Sequence, residues 1–220
     1  KDLYPEIKRR AQKALDAIMK KGRKAFLDEV YQQYGNDWWQ KAPHARPAHD
    51  MVRLSIMLKF GHYVTESSEH NAEYSPYWIK TQAPELIEKY GIPIDEYPRR
   101  CIGQIEWWKK QAKEIVENKS LTHHRGGEYA SYIMESIVTD QPCRIGGNVM
   151  NTGLITNLPS KACVEVACMA DRNGVQGTYF GDLPEQCAAL NRTNINVQIL
   201  TVDAALTRKK ENIYYAAMLD

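Results

Sequence analysis

Cys163-Val164-Glu165-Val166-Ala167-Cys168, followed by the turn Asp171-Arg172-Asn173-Gly174 and then Thr178-Tyr179-Phe180, is the stretch whose reading decides the fold class. Apolar and polar side chains alternate through Val164-Glu165-Val166, the period of a strand with one face buried. An Asn-Gly pair between two such runs signals a hairpin, because both residues accept the backbone angles of a tight turn. Cys163 and Cys168 fall on opposite faces of that strand, which argues against a metal site shared between them.

The β-like character extends back to Cys143, with turn signals at Gly146-Gly147-Asn148, Asn151-Thr152-Gly153 and Asn157-Leu158-Pro159. On either side of this region the period changes to helix. Near the start, Leu3, Ile7, Ala11, Leu15 and Ile18 predict an amphipathic surface helix. A loop is expected around Pro43 and Pro47, then a helix capped by Asp50, carrying Val52, Ile56 and Phe60 and ended by Gly61. His62-Tyr63-Val64-Thr65 suits a short strand. A short helix should run from Pro84 to Gly91, and a longer one beyond Pro98 with Ile102, Ile105, Trp108, Ala112 and Ile115, in which Trp108 reads as core. Arg125-Gly126-Gly127 leads to a helix with Tyr129, Ile133 and Ile137. The last helix puts Ala188, Asn191, Ile195, Gln198, Ile199 and Val202 on one face, so Asn191 and Gln198 are expected to need buried partners. Helices, then strands, then helices give the class α+β, with no linker that clearly splits the chain.

The balance of 29 basic and 27 acidic residues, net +2, supplies no field that would attract nucleic acid or an anionic membrane. A small neutral ligand fits better. No apolar run is long enough to span a membrane, the first residues lack a signal-peptide pattern, and five cysteines without a CxxC read as free thiols. The expectation is a cytoplasmic protein with no membrane and no nucleic-acid partner. Because a helical pattern is running almost from Lys1, the chain is also expected to begin inside a longer protein.

The densest polar cluster is Tyr63-Val64-Thr65-Glu66-Ser67-Ser68-Glu69-His70-Asn71-Ala72-Glu73-Tyr74, just before the aromatic run Tyr74-Ser75-Pro76-Tyr77-Trp78. Carboxylates, hydroxyls and aromatics in this mixture suit a sugar site, and they equally suit a solvated loop. His70 is the histidine to favour as functional; His123 and His124 are adjacent and would diverge on any regular element. There is no HExxH, Walker loop, GxSxG or GxGxxG. Asn151 and Asn157 either form turns through their own backbone or present amides to a ligand.

Several blocks resemble the family 4 glycoside hydrolases, and within them the bacterial α-galactosidases. They are Leu3-Tyr4-Pro5-Glu6, Tyr63 to Asn71 with Glu73-Tyr74, Tyr97 to Cys101, Glu128-Tyr129-Ala130-Ser131, Gly147 to Pro159, Cys163 to Cys168, and Thr193 to Gln198. The resemblance implies that residues 1–220 are a C-terminal substrate-binding and oligomerisation domain. Its layout would be similar to that of lactate and malate dehydrogenases, it would normally follow an N-terminal Rossmann domain, and it would assemble as a homo-oligomer. It implies NAD and manganese as cofactors, with oxidation of the sugar at C3, elimination after loss of the C2 proton, hydration and return of the hydride. In the family the nucleotide site and the metal-binding Cys and His precede the equivalent of Lys1, so no residue here inherits a metal role, and the fragment alone is expected to be inactive.

In related branches the catalytic base is a Tyr or Asp on the segment corresponding to Thr65–Ser68, and Ser67 stands at that point. An unaided serine is no base near neutral pH. This leaves Glu66, Glu69, His70 or Tyr74 as the base, or Ser67 relaying through water; Glu66 with His70 is the preferred pair. Tyr63, Asn71, Tyr74 and Asn151 are assigned to substrate binding. The rival readings are a non-catalytic sugar-binding module, or the same chemistry on α-glucosides or α-uronides, where Arg99, Arg100 or Arg125 near the sugar would favour a uronate.

Overall fold

The computed structural model describes residues 2–118, 120, 122 and 126–220; His123, His124 and Arg125 lie outside the described residues. The chain forms two compact units, Lys1–Leu121 and Thr122–Asp220. Among the described residues no helix is long and apolar enough to cross a membrane.

In the first unit the expected amphipathic helix is α1 (Tyr4–Lys21), with Pro5 in its first turn, where a missing N–H costs nothing. Ala11, Leu15 and Ile18 are buried, while Leu3 and Ile7 stay exposed. Gly22 ends α1 and α2 (Arg23–Tyr34) begins at once. The one-turn α3 (Trp38–Lys41) follows, and where a loop was expected around the prolines the chain instead winds a 3-10 helix, Pro43–His49. Helix α4 (Met51–Phe60) runs through the middle of the unit and ends at Gly61 as expected. Met51 packs with Leu15, Ile18 and Leu27, and Val52 and Ile56 pack with Ala72, Trp78 and Ile92. Helices α5 (Ser68–Glu73), α6 (Glu85–Tyr90) and α7 (Glu96–Glu117) complete the unit.

The core reading of Trp108 is corrected. Helix α7 has no buried residue, and Trp108 and Trp107 are 56% and 52% exposed and pack edge-on against each other. The stripe Ile102, Ile105, Trp108, Ile115 has the periodicity of a buried face, but the residues of this unit do not cover it.

Gly91, which ends α6, is favoured for two separate reasons. Its φ of 65° is left-handed, and a Cβ there would lie 2.0 Å from the guanidinium carbon of Arg23. Gly91→Ala is expected to cost the roughly 1–2 kcal/mol of a left-handed L-residue plus the displacement of Arg23. Thermal unfolding in an Arg23→Ala background separates the two, because there only the backbone strain remains.

The second unit is a three-stranded antiparallel sheet with helices. Helix α8 (Ala130–Thr139) leads into β1 (Cys143–Met150), β2 (Cys163–Asp171) and β3 (Gly174–Gly177), in the order β1-β2-β3. The β2–β3 hairpin turns where Asn173-Gly174 predicted it, with Asp171 opposite Gly174. Cys163 is exposed and Cys168 buried, on opposite faces as the alternation required. Long helix α9 (Glu185–Thr207) lays Ala188 and Ile195 against Val164, Val166 and Cys168, and α10 (Lys210–Leu219) packs on α9.

Three expectations for this unit are corrected. Gly146-Gly147-Asn148 is not a turn but the middle of β1, where Gly147 opposes Val166; a Cβ on Gly147 would meet the Cys168 sulfur at 2.9 Å, so the glycine is there for cross-strand room. Strand β3 stops at Gly177 because the Phe180 and Gly181 N–H groups turn to the Leu154 carbonyl, leaving Tyr179 and Phe180 exposed. Asn191 and Gln198 need no buried partners, since both lie on the exposed side of α9.

Candidate functional site

Expected as a strand, His62-Tyr63-Val64-Thr65 has no strand partner, and side chains take its backbone groups instead. The Tyr63 N–H donates to the Tyr4 hydroxyl at 3.0 Å, and the Val64 carbonyl accepts two bonds from the Arg53 guanidinium at 3.1 and 2.9 Å. Asp50 stands at the N-cap position of α4 without making the cap bond. Its carboxylate accepts from the Tyr63 hydroxyl and, at 3.2 Å, from Ser68 Oγ, with Arg53 Nε 3.6 Å away. The Arg53 guanidinium also lies over the Tyr63 ring, 4.3 Å from its centre. This knot pins the loop to α4. Burial, and then the hydrogen bond to Asp50, push the Tyr63 phenol up to about 12, so Tyr63 stays a neutral donor and does not act as a base.

Ser67 starts α5: its Oγ accepts the His70 N–H at 3.2 Å, the serine cap of a helix N-terminus. The Glu66 carboxylate accepts the Ser67 N–H at 2.8 Å, and Asn71 Nδ2 donates to the carbonyls of Glu66 and Ser67, each at 2.8 Å. One helical turn further on, His70 Nδ1 is 2.8 Å from the Glu73 carboxylate, and the imidazole stacks on Tyr74 with the rings 13° from parallel. The hydrogen bond to Glu73 raises the His70 pKa above the ordinary histidine value, with Glu66 and Glu69 adding to the effect. A carboxylate that takes the Nδ1 proton leaves Nε2 free to accept one.

The structure thus gathers Glu66, Ser67, His70, Asn71 and Tyr74 on and around the short helix α5, with Ser67 at its N-cap and Tyr74 at its C-cap, and with Tyr63 tied beside it. Asn151 belongs to the other unit, where its amide is bonded to its own loop. It is 1% exposed; its Nδ2 donates to the carbonyls of Ile155, Leu158 and Pro159, and its Oδ1 accepts the Ile155 N–H at 2.9 Å. Asn157 is likewise spent, exchanging two bonds with the backbone of Leu183. Both amides hold loops. Sequence reasoning missed Asp50 and Arg53 as organisers of the site and Glu73 as the partner of His70; only Glu73 had a signal, its i,i+3 spacing from His70.

A cavity of about 300 Å³ opens beside the start of α5, lined by Ser67, Glu69, Arg23, His49, Tyr90 and Glu96 among others. Arg99 and Arg100 are exposed on the first turns of α7, with Arg99 bonded to the Ile94 carbonyl and Arg100 over the Tyr97 ring. Among the described residues no group of three or more His, Cys, Asp or Glu side chains is arranged to hold a metal ion.

The profile of the Family 4 glycosyl hydrolase C-terminal domain matches residues 1–220, and the chain belongs to that family as its C-terminal domain. It is 56% identical over 219 residues to an α-galactosidase of Bacillus subtilis, covering 100% of this chain and 44% of that protein. An α-galactosidase of Rhizobium meliloti is 30% identical over 209 residues, 90% of this chain and 41% of that protein. The fold is similar to that of a 6-phospho-α-glucosidase from gut microorganisms, crystallised in complex with NAD and Mn2+: the TM-score is 0.59 at 19% identity, over 100% of this chain and 45% of that one. The chain spans less than half the length of the curated relatives it matches.

Proposed function

We propose that the full-length protein hydrolyses terminal α-galactosides, with NAD and manganese as cofactors and this domain supplying the sugar-facing loop Tyr63–Tyr74. The observation that carries this reading is the 56% identity to an α-galactosidase along the whole chain. Both cofactors are assigned to the part of the relatives' length that this chain does not cover, as the resemblance to the family implies.

In this reading His70 is the base, oriented by Glu73 and accepting a proton of the bound sugar at Nε2. The Ser67 hydroxyl, whose oxygen is engaged by the His70 N–H, donates its own hydrogen to a sugar oxygen, and Glu66 keeps the local potential negative so that a proton moving to His70 is favoured. Tyr63 and Tyr74 offer ring faces to the apolar side of a sugar, and Asn71, with Nδ2 committed to the loop, offers Oδ1 to a hydroxyl. Asn151, spent inside its own loop, has no place in the set. The five free cysteines suit a reducing cytoplasm, and the enzyme acts there as a homo-oligomer.

The test is hydrolysis of p-nitrophenyl α-galactoside. The full-length enzyme is expected to need NAD, manganese and a reductant, and to exchange the sugar's C2 proton with solvent deuterium during turnover. The 220-residue chain alone should be inactive. Hydrolysis by this chain without either cofactor would refute the reading.

A further inference from the structure

The cavity beside α5 is only partly accounted for by the residues assigned above. At about 300 Å³ it lies at the small end of ligand pockets, with room for a single sugar ring. Arg23 comes from the start of α2, His49 from the 3-10 helix, Tyr90 from α6 and Glu96 from the start of α7, while Ser67 is the N-cap of α5 and Glu69 lies in its first turn. All belong to the first unit.

The hydrogen-bonding capacity of this lining is largely unspent. Arg23 is half-buried, its Nε donates to the Ala48 carbonyl at 2.7 Å, and among the described residues its terminal nitrogens have no carboxylate partner. The carboxylates of Glu69 and Glu96, the Tyr90 hydroxyl and the His49 ring nitrogens make no hydrogen bond among the described residues either. The guanidinium is held by that carbonyl and lies in the space that Gly91 leaves open, and His49 is stacked on Trp38 with ring centres 5.0 Å apart. Polar groups from five elements thus surround a space with donors and acceptors ready, which is how a neutral, hydroxyl-rich ligand is gripped.

The charges narrow the class of ligand. One guanidinium stands against two carboxylates, and burial lowers the His49 pKa, so the imidazole is neutral near pH 7. A lining of net negative charge disfavours a uronate or a sugar phosphate.

We infer that this cavity is a subsite for the uncharged leaving-group sugar of the substrate, with Arg23 and Glu96 as its specificity-determining residues. The inference rests on the α-galactosidase reading. The reacting galactosyl ring must meet groups outside this domain, whereas a pocket lined by one unit alone suits the part of the substrate that does not react. Ser67 and Glu69 join the two, since they belong both to the cavity and to the sugar-facing loop.

The test compares two substrates in the full-length enzyme: galactosyl-α-1,6-glucose, whose leaving group is a sugar, and p-nitrophenyl α-galactoside, whose leaving group is not. Arg23→Gln and Glu96→Gln should each lower kcat/KM for the disaccharide ~10-fold more than for the aryl galactoside, the loss of one charge-assisted hydrogen bond. Equal losses on both substrates, in variants whose unfolding temperature matches wild type, would overturn the inference. Glucuronate and glucose 6-phosphate should inhibit less than glucose, and the reverse order would also overturn it. If the wild-type enzyme hydrolyses neither galactoside, the α-galactosidase reading fails separately. Titration with glucose then decides the cavity: binding weakened by both variants keeps it as a neutral-sugar site, and no binding removes it.

Discussion

Replacing His70 with Asn is expected to lower kcat of the full-length enzyme by about 10²–10⁴-fold, the usual contribution of a positioned general base, with KM changed far less. His70 is a surface side chain on a short helix, so the variant should fold as wild type does. The pH profile supplies the second readout. A base must be unprotonated to act, so activity rises with pH through the His70 pKa, which Glu73 holds above the ordinary histidine value. Glu73→Gln removes the largest cause of that elevation and should move the rising limb to lower pH while reducing kcat, because the imidazole also loses its orienting partner. If Glu73→Gln leaves the limb where it was, His70 is not the titrating base, and Glu66 becomes the residue to test.

The largest loss of stability is expected in the other unit. Asn151→Ala removes a buried amide that bonds three carbonyls and one N–H, and should cost roughly 3 kcal/mol, since each buried group left unpaired is penalised by about 1–3 kcal/mol. Asn151→Asp should be worse, because a carboxylate would face those three carbonyls. Every tryptophan lies in the first unit, so tryptophan fluorescence follows that unit, and hydrogen exchange at the Ile155 amide follows this loop. Loss of protection at Ile155 with an unchanged tryptophan signal is the expected result. If the Ile155 amide stays protected in Asn151→Ala, Asn151 is not what holds this loop.

Local chemistry was legible in the sequence wherever one residue type permits one conformation or one face. Gly61 and Gly91 end their helices, Asn173-Gly174 turns the hairpin, and the alternation through Val164-Glu165-Val166 put Cys163 and Cys168 on opposite faces. Legibility failed where a distant partner decides the outcome. Gly147 reads as a turn residue until Cys168 is seen across the ladder, and Asp50 reads as a cap until Tyr63 and Ser68 reach it. Trp108 has helical core spacing, but periodicity says only that a face is apolar and not what covers it. The cluster Tyr63–Tyr74 was visible as a concentration of chemistry. Its arrangement was not, since a strand and a clasped loop present the same residues in different directions.

The tether between Tyr63 and Tyr4 bears on how the proposed site would admit a substrate. With its N–H held by the first residue of α1 and the next carbonyl gripped from α4, this segment cannot swing without detaching from two helices that carry the unit's core. It therefore behaves as a fixed floor and not as a lid. On the proposed reading, whatever closes over a sugar has to come from outside this segment, and the affinity of this floor should be nearly independent of temperature-driven loop motion until the helices themselves give way.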